Sequence, residues 1–417
     1  MKTYALKSYL FFLFTIAFHS LSAQQPYNKL LGLVIDAQTK TSLPGATVYL
    51  DQTTKSTFTT DSGTFILNYP PGNYTLIVSY VGYKPYSLPL DKDNNTKLLV
   101  ELIPDTKTLN EVSITADPNR AEYLSLFKGF FLGKNVRQCI IVNPNVLSFS
   151  YTRDTYILTA KASEPLIIEN HVLGYRVHYD LISFMHYAGR TSYGGYSRYE
   201  ELPPQDSKQE KQWESIREQS YKGSSHHFLR ALANNKLKED GFIVKKLVKR
   251  PKSPADYTIY QKWQGNEFKA NDTVVTMSWN GISYSPTDTI AFAGDSLKTR
   301  TKKEYNVLYP GEVPQEEIIS PSITADLFKL SFNHSLFITY NRKMTTDNFW
   351  GYGGISPLSY VTSIITMLVP QTTVDLYGNL ENPNALIHEG YWATLRAADQ
   401  LPFDYYPVTK KNKSSKK

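Results

Sequence analysis

The sequence predicts a mainly β protein: an all-β sandwich at the N-terminus, followed by a β-rich α+β domain with a helical insert. Three observations predict it. Short runs of alternating apolar and polar residues fill 30–102, separated by turn signals at about 8–12 residue intervals. Similar runs recur after residue 145, interrupted at about 207–240 by apolar residues at helical spacing. The chain is also rich in aromatic residues, with 31 tyrosines, and so has the means to pack a large core. At 417 residues it is long enough for two or three domains.

Residues 1–23 read as a secretory signal peptide. Lys2 and Lys7 supply a positive start, and Tyr9 to Phe18 an apolar run too short to cross ~30 Å of hydrocarbon. Leu21-Ser22-Ala23 gives a small residue at the cleavage position. No later stretch has 18 uninterrupted apolar residues, so no transmembrane segment is expected after signal removal.

Residues 28–104 carry the sandwich. Leu30 to Ile35 opens it. Ala46, Val48 and Leu50 alternate with Thr47 and Tyr49, as a strand with one buried face requires. Asp61-Ser62-Gly63 is a turn in which Gly takes the positive φ, and Phe65 and Leu67 begin the return strand. Pro70-Pro71-Gly72-Asn73 is a second turn. Tyr74, Leu76, Val78 and Tyr80 then share one face until Gly82-Tyr83, and Leu98, Val100 and Leu102 close the unit. Asp61 reads as a turn residue, since no second carboxylate is spaced to share a calcium ion.

Four phrases here carry a resemblance: Gly32-x-Val34-x-Asp36, Leu43-Pro44-Gly45-Ala46-x-Val48, Thr60-Asp61 with Gly63 and Phe65, and Ser79-Tyr80-Val81-Gly82-Tyr83. They resemble the carboxypeptidase-regulatory-like domain, a transthyretin-like, Ig-like sandwich found in exported proteins of Bacteroidetes-type bacteria, TonB-dependent receptors among them. The resemblance implies export and an envelope setting, and no peptidase chemistry. Leu109 to Ala116, in the expected linker 105–118, is similar to the segment leading into a receptor plug. About 300 residues follow it, too few for a plug and a barrel of about 22 strands. A full receptor is therefore not expected.

Residues 119–409 are expected to form the β-rich α+β domain. Tyr123, Leu124, Phe127, Phe130 and Phe131 have helical spacing, limited by Gly129 and Gly133. β-like runs follow at 146–151, 156–160, 166–169 and 173–181, then a Gly-rich meander to Tyr199. Ser207 and Glu210 read as a capping box opening the insert. Gly223-Ser224-Ser225 recaps it, and Gly241 ends it. Strands are expected again at 257–263, 273–279, 304–309 and 336–340, and Val361 to Val369 reads as a core element. Glu164 to Asn170, Leu173-Gly174-Tyr175, Trp213 with Tyr221 to Leu229, Gly390-Tyr391-Trp392 and Leu401 to Tyr405 resemble a family of exported Bacteroidetes proteins bearing the same N-terminal module. That implies a shared fold and compartment, and no activity.

The net charge of +7 is a matter of the chain ends. Two lysines lie in the signal and five in the basic tail, 410–417; without them 38 basic residues face 38 acidic ones. A nucleic-acid partner is not expected, because it would need a basic face on a folded domain and none is evident. The tail reads as a solvated end, or as a contact for an anionic envelope surface. Cys139 is the single cysteine and reads as a buried thiol.

No residue cluster spells a reaction. No His is followed three residues later by Glu, and there is no His-Glu-x-x-His, no Gly-x-Ser-x-Gly and no phosphate loop. Ser125-x-x-Lys128 stands without its companion motif. His226-His227 read as capping or packing residues, and His178, His186 and Asp180 as a weak metal combination. Tyr187, Tyr193, Tyr196 and Tyr199 are the candidate binding residues: tyrosines exposed on a β surface stack on sugars or form protein interfaces, and buried ones pack a sheet.

The expectation is a non-catalytic exported envelope protein, periplasmic and associated with the outer membrane, without cofactor or metal. It would act as an accessory to an outer-membrane or periplasmic protein. A glycan-binding module and a hydrolase built from residues distant in sequence are the alternatives.

Overall fold

The structure, a computed structural model, describes residues 28–90, 97–105, 117–187, 190–251, 275–277, 304–324, 326–345 and 359–407. The expected signal peptide, nearly all of the linker, the strand at 257–263 and the basic tail lie outside these residues. The described chain is mainly β, as the sequence predicts.

Seven strands build the N-terminal sandwich: β1 (Asn28–Asp36), β2 (Thr47–Leu50), β3 (Ser56–Phe58), β4 (Thr64–Tyr69), β5 (Tyr74–Ser79), β6 (Tyr86–Leu90) and β7 (Leu98–Leu102). One sheet runs β4–β1–β7, the other β3–β2–β5–β6. The strand pairs of the sandwich are antiparallel except in one place, where β7 lies parallel to β1. The chain reaches β7 from β6 in the opposite sheet, a crossover that a hairpin could not make. Leu30, Val34, Val48, Leu50, Phe65, Leu67, Leu76, Val78, Val100 and Leu102 fill the space between the sheets. Gly32 belongs there too: a Cβ would stand 2.4 Å from the Phe65 ring and 2.8 Å from the Leu98 carbonyl oxygen.

The next unit packs helix α1 (Arg120–Leu132) on a sheet. Its strands are β8 (Cys139–Ile141), β9 (Leu147–Thr152), β10 (Ile157–Ala162), β11 (Leu166–Asn170), β12 (Tyr175–Tyr187) and β13 (Arg190–Glu201), in the order β8–β11–β12–β10–β9 with β13 on β12. The helix runs through Gly129 and stops at Gly133. The long β12–β13 hairpin is the spine of this unit. Tyr175, Val177, Tyr179 and Leu181 face the core; a bulge between Leu181 and Ser183 shifts the alternation, so that Phe184 faces it next. Phe127 and Phe131 of α1 meet Phe184 and Tyr179 edge-on, at 4.7 and 5.1 Å between ring centres.

Three helices occupy the expected insert: α2 (Ser207–Tyr221), α3 (Ser225–Ala233) and α4 (Leu237–Asp240). The cap of α2 is one residue earlier than the sequence suggests. Asp206, not Ser207, accepts from the N–H groups of Lys208 and Gln209, because a carboxylate is the stronger acceptor at a helix start. Ser224 caps α3 by accepting from His227 N–H.

The last unit holds β14 (Phe242–Pro251), β15 (Val275–Met277), β16 (Glu304–Glu312), β17 (Ile319–Pro321), β18 (Leu327–Leu330), β19 (Ser335–Thr345), β20 (Ser359–Met367), β21 (Thr372–Asp375), β22 (Leu386–Gly390) and helix α5 (Tyr391–Thr394). Its sheets run β15–β16–β14–β19–β20–β22 and β17–β18–β21. Phe228 and Leu232 of α3 join Leu336, Ile338, Ile365, Val374 and Trp392 in a second buried cluster, separate from the one under α1.

Among the described residues, no helix is long and apolar enough to cross a membrane.

Candidate functional site: the two faces of the sandwich

Alternation along β2 and β5 sends Val48, Leu50, Leu76 and Val78 into the sandwich core and their neighbours outward. The outward pair Tyr49 and Ile77, opposite each other in register, are nevertheless 1% and 0% exposed. The β12–β13 hairpin meets this face at Tyr49 and Ser79. The Tyr49 hydroxyl donates to Asp180 of β12, and the Ser79 hydroxyl donates to the other Asp180 oxygen at 3.2 Å. On the sandwich side, Asp51 accepts from Ser197 N–H at 2.8 Å.

Backbone pairing completes this seam. Residues 52–53 add to the edge of β13: Gln52 N–H donates to the Ser197 carbonyl at 2.7 Å, and Tyr199 N–H to the Thr53 carbonyl at 2.9 Å. Gln52 sits at φ +58, a left-handed conformation held from both sides, since its own carbonyl accepts from Phe403 N–H at 2.7 Å. Asp404 accepts from Thr54 N–H at 3.0 Å and lies 3.8 Å from the Lys55 ammonium. A second attachment joins the 70–73 turn to the last unit: Asn73 N–H donates to Asp375 at 2.7 Å, and the Asn73 amide donates to the Asn379 carbonyl.

Burial dominates the electrostatics of the seam. It pushes the Asp51 carboxyl up to about 6 and raises Asp180 as well. It raises the Tyr49 hydroxyl too, with the Asp180 charge adding to the effect. Arg198 is the nearby cation, and its guanidinium is turned along its own strand to Glu200.

Beyond the seam, the same outer face of the hairpin carries a ladder of paired polar side chains. Arg176 meets Glu169 at 2.6 Å, His171 lies 3.5 Å from Glu169, and His178 lies 3.3 Å from Glu200. Burial, then the Arg198 charge, holds His178 below its ordinary value. Among the described residues, no group of three His, Cys, Asp or Glu converges as a metal site would.

The other sheet presents a different surface. Leu31 of β1 lies opposite Ile66 of β4, and Leu33 lies beside Leu99 of β7. All four point away from the sandwich core. Leu31, Ile66 and Leu99 are 39%, 49% and 53% exposed, and Leu33 is half-buried. The sandwich is thus fixed to the body by one sheet and shows an apolar patch on the other. This patch has a trace in the sequence: Leu30-Leu31-Gly32-Leu33-Val34-Ile35 and Phe65-Ile66-Leu67 are continuous apolar runs, where a one-faced strand alternates. The acidic seam has no such trace, since Asp51 and Asp180 read as ordinary polar positions.

The four candidate tyrosines do not form one surface. Tyr199 is 3% exposed, its ring edge-on to Tyr175, and burial raises its hydroxyl. Tyr193 is half-buried against Phe131, 4.9 Å between ring centres, with its hydroxyl pushed up to about 12 by burial. The Tyr199 ring is enclosed in the core, and Tyr193 packs beside it on the α1 side of the hairpin. Tyr196, opposite Asp180, lies on the other side of the hairpin, and Tyr187 is at the end of β12. The Gly-rich meander is a strand whose alternation divides the rings between core and outer face. The same bulge separates the histidines: His178 and Asp180 share the outer face, while His186 stacks on Phe130 of α1. Cys139 is buried, and burial pushes its thiol up to about 12.

The sequence from 30 to 114 matches the family model of the CarboxypepD_reg-like domain. No curated protein matches the chain. Among solved structures, a DUF3823 family protein from Bacteroides ovatus is similar at 12% identity, over 43% of this chain and 82% of that one, with a TM-score of 0.16. A Bacteroides fragilis protein of unknown function, described as a candidate membrane-associated protein, is similar at 13% identity over 42% and 95%, TM-score 0.15. A Bacteroides uniformis protein described as a candidate carbohydrate binder is similar at 10% identity over 42% and 98%, TM-score 0.15. Similarity this low assigns no ligand to the chain. The matched stretch takes in all seven strands of the sandwich but for the first two residues of β1, so the sandwich is the part of the chain that is similar to a CarboxypepD_reg-like domain.

Proposed function

We propose that this chain is a non-catalytic, exported cell-envelope protein that binds an outer-membrane or periplasmic protein through the outer face of the β4–β1–β7 sheet. One observation carries the reading. Leu31, Leu33, Ile66 and Leu99 form a contiguous apolar patch on a domain whose opposite sheet is already covered at Tyr49 and Ile77. Contiguous apolar surface of this kind marks contact sites. The charged residues near it, Lys29, Lys40 and Glu101, form a polar rim of the sort that surrounds protein interfaces. Export is supported by the signal-like first 23 residues and by the domain family.

Site-specific photocrosslinking in native envelopes tests it. A crosslinker at Ile66 or Leu99 is expected to yield a discrete adduct with an envelope protein, and one at Ile77, on the covered sheet, none. Leu31→Glu is expected to abolish the Ile66 adduct without changing the melting temperature. Equal labelling at all three positions, or adducts indifferent to Leu31→Glu, would refute the assignment.

A further inference from the structure

We propose that the seam between the sandwich and the β12–β13 hairpin is a proton-operated latch, which grips more tightly as the pH falls through the weakly acidic range. The geometry is two carboxylates facing one interface, Asp51 from the sandwich and Asp180 from the hairpin. The direct donors to them are neutral: Tyr49 and Ser79 hydroxyls on Asp180, and on Asp51 the Ser197 N–H with the backbone N–H and side-chain amide of Gln52. The charged and titratable groups around the pair are known from every element packed there. The sandwich contributes Tyr49, and Lys55, which lies by Asp404. The hairpin contributes Arg198, paired with Glu200, then His178 beside Glu200, and the Tyr179 and Tyr199 hydroxyls. The C-terminal segment contributes Asp404. Arg198 is the cation that acts on Asp180, and it is shared with Glu200.

Two buried like charges with mostly neutral donors disfavour closure while both are ionised. A proton on either acid removes that cost, and the protonated carboxyl still accepts through its carbonyl oxygen. Burial in the closed seam raises Asp51 from the ordinary 3.8 to about 6, and to the extent that opening the seam restores the ordinary value, the docked state binds more protons in that range. Closure is therefore favoured below it and weakened as the pH rises through about 6. The histidines of the last unit act with the opposite sign, so the latch is visible locally rather than in overall stability.

Amide hydrogen exchange on the full chain tests this, with rates corrected for intrinsic pH dependence. From pH 7 to pH 5, protection of the Gln52 and Tyr199 amides is expected to rise about tenfold. Val48, in the sandwich core, is expected to show no such rise. In Asp51→Asn the rise at Gln52 and Tyr199 is expected to vanish, and in Asp180→Asn to shrink. Should Asp51→Asn not fold, Asp180→Asn and the wild-type contrast with Val48 decide the matter. Flat or falling seam protection in the wild type, or an undiminished rise in either variant, would overturn the latch.

Discussion

The backbone N–H of Asn73 donates to the carboxylate of Asp375 at 2.7 Å, across 302 residues of sequence. Asp375 is 2% exposed and also accepts from the N–H groups of Tyr377 and Asn379, each at 2.8 Å. One carboxylate therefore closes its own turn and holds the turn of the sandwich. Asp375→Ala leaves several buried donors without an acceptor and is expected to cost about 2–4 kcal/mol. Chemical denaturation measures the loss, and limited proteolysis should cut first near 70–73.

Tyr83 ties together two of the phrases that make the sandwich recognisable. Its hydroxyl donates to Asp36 at 2.6 Å, while Asp36 also accepts from Gln38 and Thr39 N–H. The Tyr83 bond and these backbone bonds hold the Asp36 carboxyl down at about 2. A lowered carboxyl contributes stability that is complete above its ordinary 3.8 and is lost as the pH falls through about 2. Tyr83→Phe is expected to raise the Asp36 titration toward its ordinary value, read by carbon-detected NMR. An unmoved titration would mean that the backbone donors alone set it.

The histidines of the last unit make it sensitive to acid. Burial, followed by the Arg230 charge, lowers His226 to about 3 and His227 to about 4, and burial alone lowers His388 to about 4. Between these values and 6.5 the unfolded chain binds more protons, so the stability they allow is complete above about 6.5 and is lost as the pH falls toward 4. His227 is 8% exposed, and its Nδ1 accepts from Gly223 N–H at 3.1 Å. His227→Asn keeps a nearby acceptor and removes the titration. The drop in unfolding free energy from pH 7 to pH 5 is expected to shrink by roughly 1–2 kcal/mol. An unchanged drop in urea titrations would assign the acid sensitivity elsewhere.

Cys139 is expected to be inert in the native protein. Its thiol, buried and pushed up to about 12, is almost wholly protonated at pH 8, and the thiolate is the reactive form. Alkylation at pH 8 should be at least about a hundredfold slower for the folded chain than in denaturant. Rapid native labelling would place the thiol in an opening segment.

Local patterns in the sequence carry much of the sandwich. The alternation around Val48 and Leu76, the Gly63 turn and the phrases around Asp36 and Tyr83 are all short-range signals, because one strand's period and one turn's φ are set by a few neighbouring residues. The α1 spacing and the helical stretch after 207 are legible for the same reason. The tyrosines of β13 are not. Their spacing is clear and alternation splits them between two faces, but which face is the core depends on where α1 lies, and that is not encoded in the meander itself.

By itself, the sequence determined a mainly β chain with a CarboxypepD_reg-like sandwich at its start, since strand periodicity and turn chemistry are local properties. Only the tertiary structure decided that Tyr49 and Ile77 are covered while Leu31, Ile66 and Leu99 are bare. It alone placed Asp51 beside Ser197, with Asp180 on the same seam, and joined Asn73 to Asp375. These outcomes depend on which segments meet across hundreds of residues, and burial, the quantity that shifts a carboxyl or leaves a leucine exposed, does not exist until they meet.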